Sequence, residues 1–223
     1  MESSILNFVE GIKHDFGTLK EPAAPFVHQN WLLRPTKTQV HGTRIAIATK
    51  ESQEVGEADG WYTNQKQLLL TIVNADCYPV LFARKDGGAI AALHVGWRGA
   101  LNGIIYNLQN IIREHDDDMT NWVAAIGPGA RPCCYQVSES LINDFSLKYS
   151  LDIKDISPKF RMLNLPTIII YQLKAIGISA YEDSGLCTIC STRLSLGDHL
   201  YPKFYSYRRD KNKNVQVSAI MMV

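Results

Sequence analysis

Four short runs of almost purely apolar residues, each cut off by turn-forming residues, constrain this chain most. They are Leu68–Val73, Val80–Ala83, Ala89–Val95 and Trp122–Ile126. Their length suits strands; the continuous run Leu68–Val73 predicts a strand buried on both faces, and Ala89–Val95 a buried one. Asn74-Ala75-Asp76-Cys77, Asp86-Gly87-Gly88 and Gly127-Pro128-Gly129 interrupt or close them. Strands buried on both faces need covering layers, and helical patterns supply them. Leu101, Ile104, Ile105, Leu108, Ile111 and Ile112 fit helical spacing and predict one amphipathic helix from near Ala100 to His115. Two further helices are expected over Glu139–Tyr149 and Pro166–Ile176, the second opening on a proline. Ile45–Ala48 and the alternating Val215–Met221 read as strands. Pro22, Pro25 and Pro35 make the N-terminal third read as loop. Strands and helices mix without a strict βα repeat, so the expectation is a single mixed α/β domain spanning residues 1–223.

Composition excludes several classes of function. Apolar residues make up 46% and charged residues 20% of the 223, ordinary for a folded chain and not for disorder or a coiled coil. The formal net charge is +1, so bulk charge predicts no nucleic-acid partner. No run approaches the roughly 18 apolar residues of a membrane span, and the start Met1-Glu2-Ser3-Ser4 lacks a basic, apolar leader. Five cysteines, two of them adjacent, fit a disulfide framework poorly. The expectation is a cytoplasmic protein whose thiols are free or hold metal.

Three candidate metal ligands sit at strand ends beside small residues: His41 in Gln39-Val40-His41-Gly42, Cys77 in Ala75-Asp76-Cys77, and His94 in His94-Val95-Gly96-Trp97. Their separations are too long for a zinc finger. Two imidazoles and a thiolate nevertheless form a donor set that leaves zinc one open position, where bound water ionises near pH 7. Three unrelated buried polar residues is the competing reading of the bare spacing. Arg98, beside the start of the expected helix, is a candidate anion ligand. Arg208 and Arg209 are candidates for phosphate. Asp76 is a candidate acid/base or a partner orienting a histidine. Cys187-Thr188-Ile189-Cys190 has no second Cys-x-x-Cys pair in the sequence, so Cys187 and Cys190 read as packing thiols. Cys133 and Cys134, if extended, would point to opposite faces. His28, His115 and His199 read as surface residues. Trp61 and Tyr62 could stack on a base but fit a core better.

Six motifs occur in order: Gln39-Val40-His41-Gly42, Glu57-Ala58-Asp59-Gly60, Ala75-Asp76-Cys77-Tyr78-Pro79-Val80-Leu81, His94-Val95-Gly96-Trp97-Arg98-Gly99, the stretch from Ile126 to Cys133-Cys134-Tyr135, and Phe204-Tyr205-Ser206-Tyr207-Arg208-Arg209-Asp210. Together they closely resemble the YfiH-like laccase-domain family, also described as multi-copper polyphenol oxidoreductases or purine nucleoside phosphorylases. The resemblance implies a four-layered α/β/β/α sandwich and one catalytic zinc on His41, Cys77 and His94. It implies phosphorolysis of adenosine, inosine, guanosine or methylthioadenosine, adenosine deamination, or both, with nucleoside and phosphate as partners. Catalytic roles would then fall to Asp76, Cys77 and Arg98, and substrate binding to Arg98, Arg208 and Arg209. Copper-dependent phenol oxidation and a peptidoglycan-editing amidase role are alternatives within the family, with Cu²⁺ in place of Zn²⁺ for the first. Six histidines, three of them apparently remote, are few for a multi-copper relay. The chain also departs from the family pattern. Leu19 in His14-Asp15-Phe16-Gly17-Thr18-Leu19 stands where an arginine is expected. Loss of an anion ligand there predicts that deamination is better preserved than phosphorolysis.

Overall fold

Apolar runs become adjacent strands because each can bury its side chains only against a neighbour of the same kind. The computed structural model describes residues 1–194 and 200–223. In chain order it has α1 (Ser4–Asn7), β1 (Ile12–Phe16), α2 (Pro25–Asn30), β2 (Thr36–Thr38), β3 (Ile45–Ile47), β4 (Glu54–Glu57), β5 (Gly60–Thr63), β6 (Leu70–Asn74), β7 (Tyr78–Arg84) and β8 (Ile90–Val95). There follow α3 (Trp97–Asn102), α4 (Ile104–Glu114), β9 (Trp122–Ile126), α5 (Glu139–Tyr149), α6 (Ile153–Ile156), α7 (Leu165–Ala175), β10 (Ala180–Asp183), β11 (Thr192–Leu194), β12 (Leu200–Pro202), α8 (Tyr207–Asp210) and β13 (Gln216–Met222).

The six-stranded sheet has the order β10-β9-β7-β8-β5-β3, and a three-stranded sheet has the order β1-β13-β6. The larger sheet is mixed: β7 is antiparallel to both β8 and β9, while β10 runs parallel to β9. Side chains of β7 and β8 alternate between two apolar interfaces. Val80, Phe82, Leu93 and Val95 pack with Ile104, Ile105, Leu108, Ile168 and Ile169 of α4 and α7. Leu81, Ala83 and Ala92 face the other way and pack with Leu70, Ile72, Ile220 and Met222 of the smaller sheet. Val217, Ala219 and Met221, on the outer face of that sheet, pack with Ala24 and Val27 beside and within α2. Helices, large sheet, small sheet and α2 therefore follow one another, and the fold is mixed α/β. Trp61 and Tyr62 are buried within it.

Three local expectations change. The run Leu68–Val73 is not buried on both faces: β6 is an edge strand, and Val73 is exposed. The single amphipathic helix is two helices, because Gly103 has φ 87° and ends α3 while opening α4. Beyond the break, Ile104, Ile105, Leu108 and Ile112 are fully buried, each worth roughly 1.5–3 kcal/mol of apolar transfer. The N-terminal third is not simply loop. It contributes β1, whose Lys13-His14-Asp15 gives no strand-like apolar signal, to the smaller sheet.

Topology gathers the candidate residues at one end of the large sheet. β8 ends where β7 begins, with Tyr78 opposite Val95. Gly60 at the start of β5 pairs with Leu93 and with Ile45 at the start of β3. β9 and β10 end there as well, with Ile126 opposite Val80 and beside Asp183.

Candidate metal centre and cleft

One nitrogen of His41, one nitrogen of His94 and the sulfur of Cys77 lie within 4.8 Å of one another. His94 ends β8, Cys77 sits in the turn before β7, and His41 lies in the loop before β3. The imidazole rings of His41 and His94 meet edge to face, 4.9 Å between centroids. His41 adopts φ 61°, a left-handed conformation unfavourable for a non-glycine residue that the surroundings must impose.

Asp59 imposes it. This fully buried carboxylate accepts hydrogen bonds from the backbone N–H groups of Val40 (3.1 Å), His41 (2.9 Å) and Gly42 (2.7 Å). It also accepts the Nδ1–H of His94 at 2.8 Å, which leaves Nε2 of that ring to face the centre. Burial alone would raise the carboxyl pKa, but the bonds from His94, Gly42 and Val40 outweigh it and hold Asp59 down at about 2. Burial lowers the His94 pKa, so the ring is a neutral ligand at pH 7. Burial, with Asp76 and Asp59 nearby, pushes the Cys77 thiol up to about 12, so only a cation at this point would draw off its proton. Gly96 makes the approach possible: a Cβ there would stand 2.9 Å from the Cys77 sulfur and 3.4 Å from the His41 ring.

The three side chains line a cleft of about 970 Å³. Trp97, Tyr135 and Tyr207 supply aromatic walls, and Arg98, Arg208, Lys211 and Lys213 supply cations. Arg98 is exposed in the first turn of α3, its guanidinium 5.0 Å from the Trp97 ring. The Arg208 guanidinium lies 4.9 Å from the Tyr135 ring and donates to the carbonyl of Gln136. Arg209 is not in the cleft wall. Its guanidinium donates to the carbonyls of Thr188 (3.1 Å), Ile189 (3.0 Å) and Phe204 (2.8 Å) and pairs with Asp210. Asp76, at φ 93°, accepts from Thr188 Oγ1 and from the backbone N–H of Arg208, both at 2.7 Å. Its carboxylate thus ties the Cys77 turn to the loop after β10 and to the start of α8, while Asp59 is the residue that orients the two histidines.

Sequence reasoning assigned no role to Asp59, Lys37 or Tyr135. The Glu57-Ala58-Asp59-Gly60 motif was the available signal for the first. Burial pushes the Lys37 amine down to about 8, against the pull of Asp59. Burial, with Cys77 nearby, pushes the Tyr135 hydroxyl up to about 12, so it remains a donor. Among the other histidines, His14 is buried and accepts from the Ser3 N–H, whereas His28 and His115 are exposed. His199 lies outside the described residues. The Cys187-x-x-Cys190 pair does have partners: Cys133 and Cys134 lie beside it, all four sulfurs within 4.8 Å of one another. Of the pair expected to be packing thiols, Cys187 is buried but Cys190, like Cys133, is exposed.

Similar proteins share this architecture. The model of the family described as multi-copper polyphenol oxidoreductase laccase matches residues 27–223. A Rickettsia conorii protein named purine nucleoside phosphorylase is 37% identical over 191 residues, 82% of this chain and 76% of its own length. The Geobacillus stearothermophilus purine nucleoside phosphorylase YlmD is 30% identical over 86% of this chain and 74% of its own. The crystal structure of YlmD from that organism superposes with TM-score 0.77 at 25% identity, covering 99% of this chain and 93% of its own. That of Bacillus licheniformis YfiH superposes with TM-score 0.74 at 26% identity, over 84% and 73% of the two chains. On the extent of these matches, this chain belongs to the multi-copper polyphenol oxidoreductase laccase family, whose members include proteins named purine nucleoside phosphorylase.

Proposed function

We propose that this chain is a zinc-dependent enzyme of purine nucleosides that deaminates adenosine and, less efficiently, splits nucleosides with phosphate in a reducing cytoplasm. The observation that carries the reading is the convergence of His41, His94 and Cys77 at the wall of a cleft lined by aromatic rings and cations. A divalent ion on those three ligands would supply Lewis acidity there. Asp59 holds His94 in one tautomer and pins the His41 loop, which restricts how far the two rings can turn away from the centre. Trp97, Tyr135 and Tyr207 offer flat apolar surface to a purine. Arg98, Arg208 and Lys211 place positive charge where phosphate or a ribose oxygen would lie. The protonated Tyr135 hydroxyl can donate to an oxygen that gains charge during reaction. Asp76 acts as a positioning residue, since both its oxygens already accept hydrogen bonds.

Leu19 in place of the arginine leaves the anion site to Arg98, Arg208, Lys211 and Lys213. Each hydrogen bond to a charged partner contributes roughly 1.5–3 kcal/mol, so phosphate binding should be about tenfold to a hundredfold weaker than with the arginine. Incubation of the zinc-loaded protein with adenosine, with and without millimolar phosphate, tests this by chromatography. Inosine is the expected main product. Adenine with ribose 1-phosphate as the main product would reverse the ranking, and neither product would end the nucleoside reading. Phenol oxidation by a multi-copper relay has less support, because His41 and His94 are the only imidazoles facing the centre among the described residues.

A further inference from the structure

The second cysteine group has the geometry of a metal site in its own right. β9 and β10 are parallel neighbours, so the loops leaving their ends emerge side by side. One carries Cys133 and Cys134, the other Cys187 and Cys190. Backbone pairing laces the loops together: Gly129 bridges Cys187, the Gly129 N–H donates to the Leu186 carbonyl at 3.3 Å, and the Thr188 N–H donates to the Gly129 carbonyl at 3.1 Å. Arg131 and Asp183 pair through two bonds of 2.8 and 2.9 Å across the same junction. The Cys133-Cys134 segment is a turn, with the Cys134 N–H bonded to the Arg131 carbonyl at 2.9 Å. That conformation lets adjacent side chains reach one point, which an extended strand would forbid.

The sulfur spacing selects the chemistry. Around a tetrahedral ion with metal–sulfur bonds of about 2.3 Å, sulfurs stand about 3.8 Å apart. Here the Cys133 and Cys190 sulfurs are 3.5 Å apart and all four fall within 4.8 Å. A disulfide needs about 2.05 Å, and none of the four is in one. The framework is already held in shape. Ser191 Oγ accepts the Cys187 N–H at 3.0 Å, and the Arg209 guanidinium grips the carbonyls of Thr188 and Ile189 between the two cysteines. One sulfur-bearing residue, Cys187, is buried, while Cys133 and Cys190 are exposed and leave a way in.

We propose that Cys133, Cys134, Cys187 and Cys190 together bind one thiophilic divalent ion, zinc by chemistry, in a closed structural site distinct from the His41, Cys77 and His94 centre. Four thiolates leave no open position, so this ion has no catalytic role. Its place in the molecule gives it a mechanical one. Tyr135 follows Cys134 and lines the cleft, and Thr188 between Cys187 and Cys190 holds the Asp76 carboxylate next to ligand Cys77. The ion therefore braces two walls of the cleft without touching its contents. This inference stands whether or not the cleft acts on nucleosides.

Metal content of the full chain, purified under reducing conditions in zinc and then loaded with cobalt, tests it. The expected result is two equivalents of zinc per chain in the wild type and one in Cys77→Ser. The cobalt form of Cys77→Ser should keep strong thiolate-to-cobalt charge-transfer absorption in the near ultraviolet, and its four remaining cysteines should resist a thiol reagent until a chelator is added. Cys187→Ala with Cys190→Ala should lose one equivalent and most of that absorption, keeping only the weaker band of the single Cys77 thiolate. If the double variant does not fold, Cys77→Ser decides alone. A metal-free Cys77→Ser, a cobalt spectrum without intense sulfur bands, or a Cys133–Cys190 disulfide in anaerobically purified protein would each overturn the proposal.

Discussion

A single carboxylate organises both His41 and His94, and that makes Asp59 the residue whose loss should matter most for the proposed centre among those that would not touch an ion. Asp59→Asn keeps the size but replaces one acceptor by a donor, which then confronts the N–H groups of Val40, His41 and Gly42 or the Nδ1–H of His94. Loss of such an orienting partner costs about tenfold to a hundredfold in metal affinity. Competition with a chromophoric chelator would measure it, and a wild-type affinity in Asp59→Asn would refute the role. Gly96→Ala tests close approach in place of charge. The new methyl would lie 2.9 Å from the Cys77 sulfur, displacing the ligand while the fold, probed by circular dichroism, stays intact. The convergence of His41, Cys77 and His94 was legible because each lies in a recognisable motif, and Cys77 and His94 also interrupt or end apolar runs. Asp59 was not, because its function lies in four hydrogen bonds to residues 17 to 35 positions away.

Elements were legible where their own chemistry dictates them. β7 to β9, α5 and α7 have continuous apolar runs or helical spacing and were found to within a few residues. The two-helix form of α3 and α4 escaped because Ile104 and Ile105 continue the helical pattern across Gly103, while the φ of 87° at that glycine breaks the backbone. The Cys133–Cys190 proximity escaped for a different reason. It depends on β9 and β10 being parallel neighbours, a long-range pairing that no local spacing encodes. Gly103→Ala is therefore an element-scale prediction. Alanine in a left-handed conformation costs roughly 1–2 kcal/mol, and a Cβ there would also press on Tyr106 at 3.3 Å. Chemical denaturation should show a lower midpoint with an unchanged slope. An unchanged midpoint would mean that α3 and α4 merge into one helix at no cost.

At the scale of the whole molecule, acid should act through two buried imidazoles at opposite places in the fold. His94 lies at the metal centre, and burial lowers its pKa. His14 in β1 is lowered by burial too, and its Nε2 accepts the Ser3 N–H at 2.8 Å, a bond that a protonated ring cannot accept. Ser3, Ser4 and Ile5 also bind the Glu182 carboxylate on β10, so the same N-terminal segment ties β1 of the small sheet to the edge of the large one. In the unfolded chain both histidines titrate near pH 6.5, whereas in the folded metal-free protein they do so lower. Between those values the unfolded state binds more protons. Stability is therefore full above about pH 6.5 and falls as pH drops towards the folded values, by at most about 1.4 kcal/mol per pH unit for each histidine. Asp59 acts in the same direction only further down, between its ordinary value of 3.8 and about 2, whereas burial raises the Asp15 carboxyl, which acts with the opposite sign. Melting of chelator-treated protein from about pH 6.5 to about pH 5 should show a falling midpoint. His14→Gln, whose side-chain oxygen can still accept from Ser3, should flatten the fall by removing one titration. Bound metal at His94 should delay it, because the proton and the ion compete for Nε2. A midpoint constant from pH 7.5 to 5 in the metal-free protein would show that neither ring is held neutral by burial.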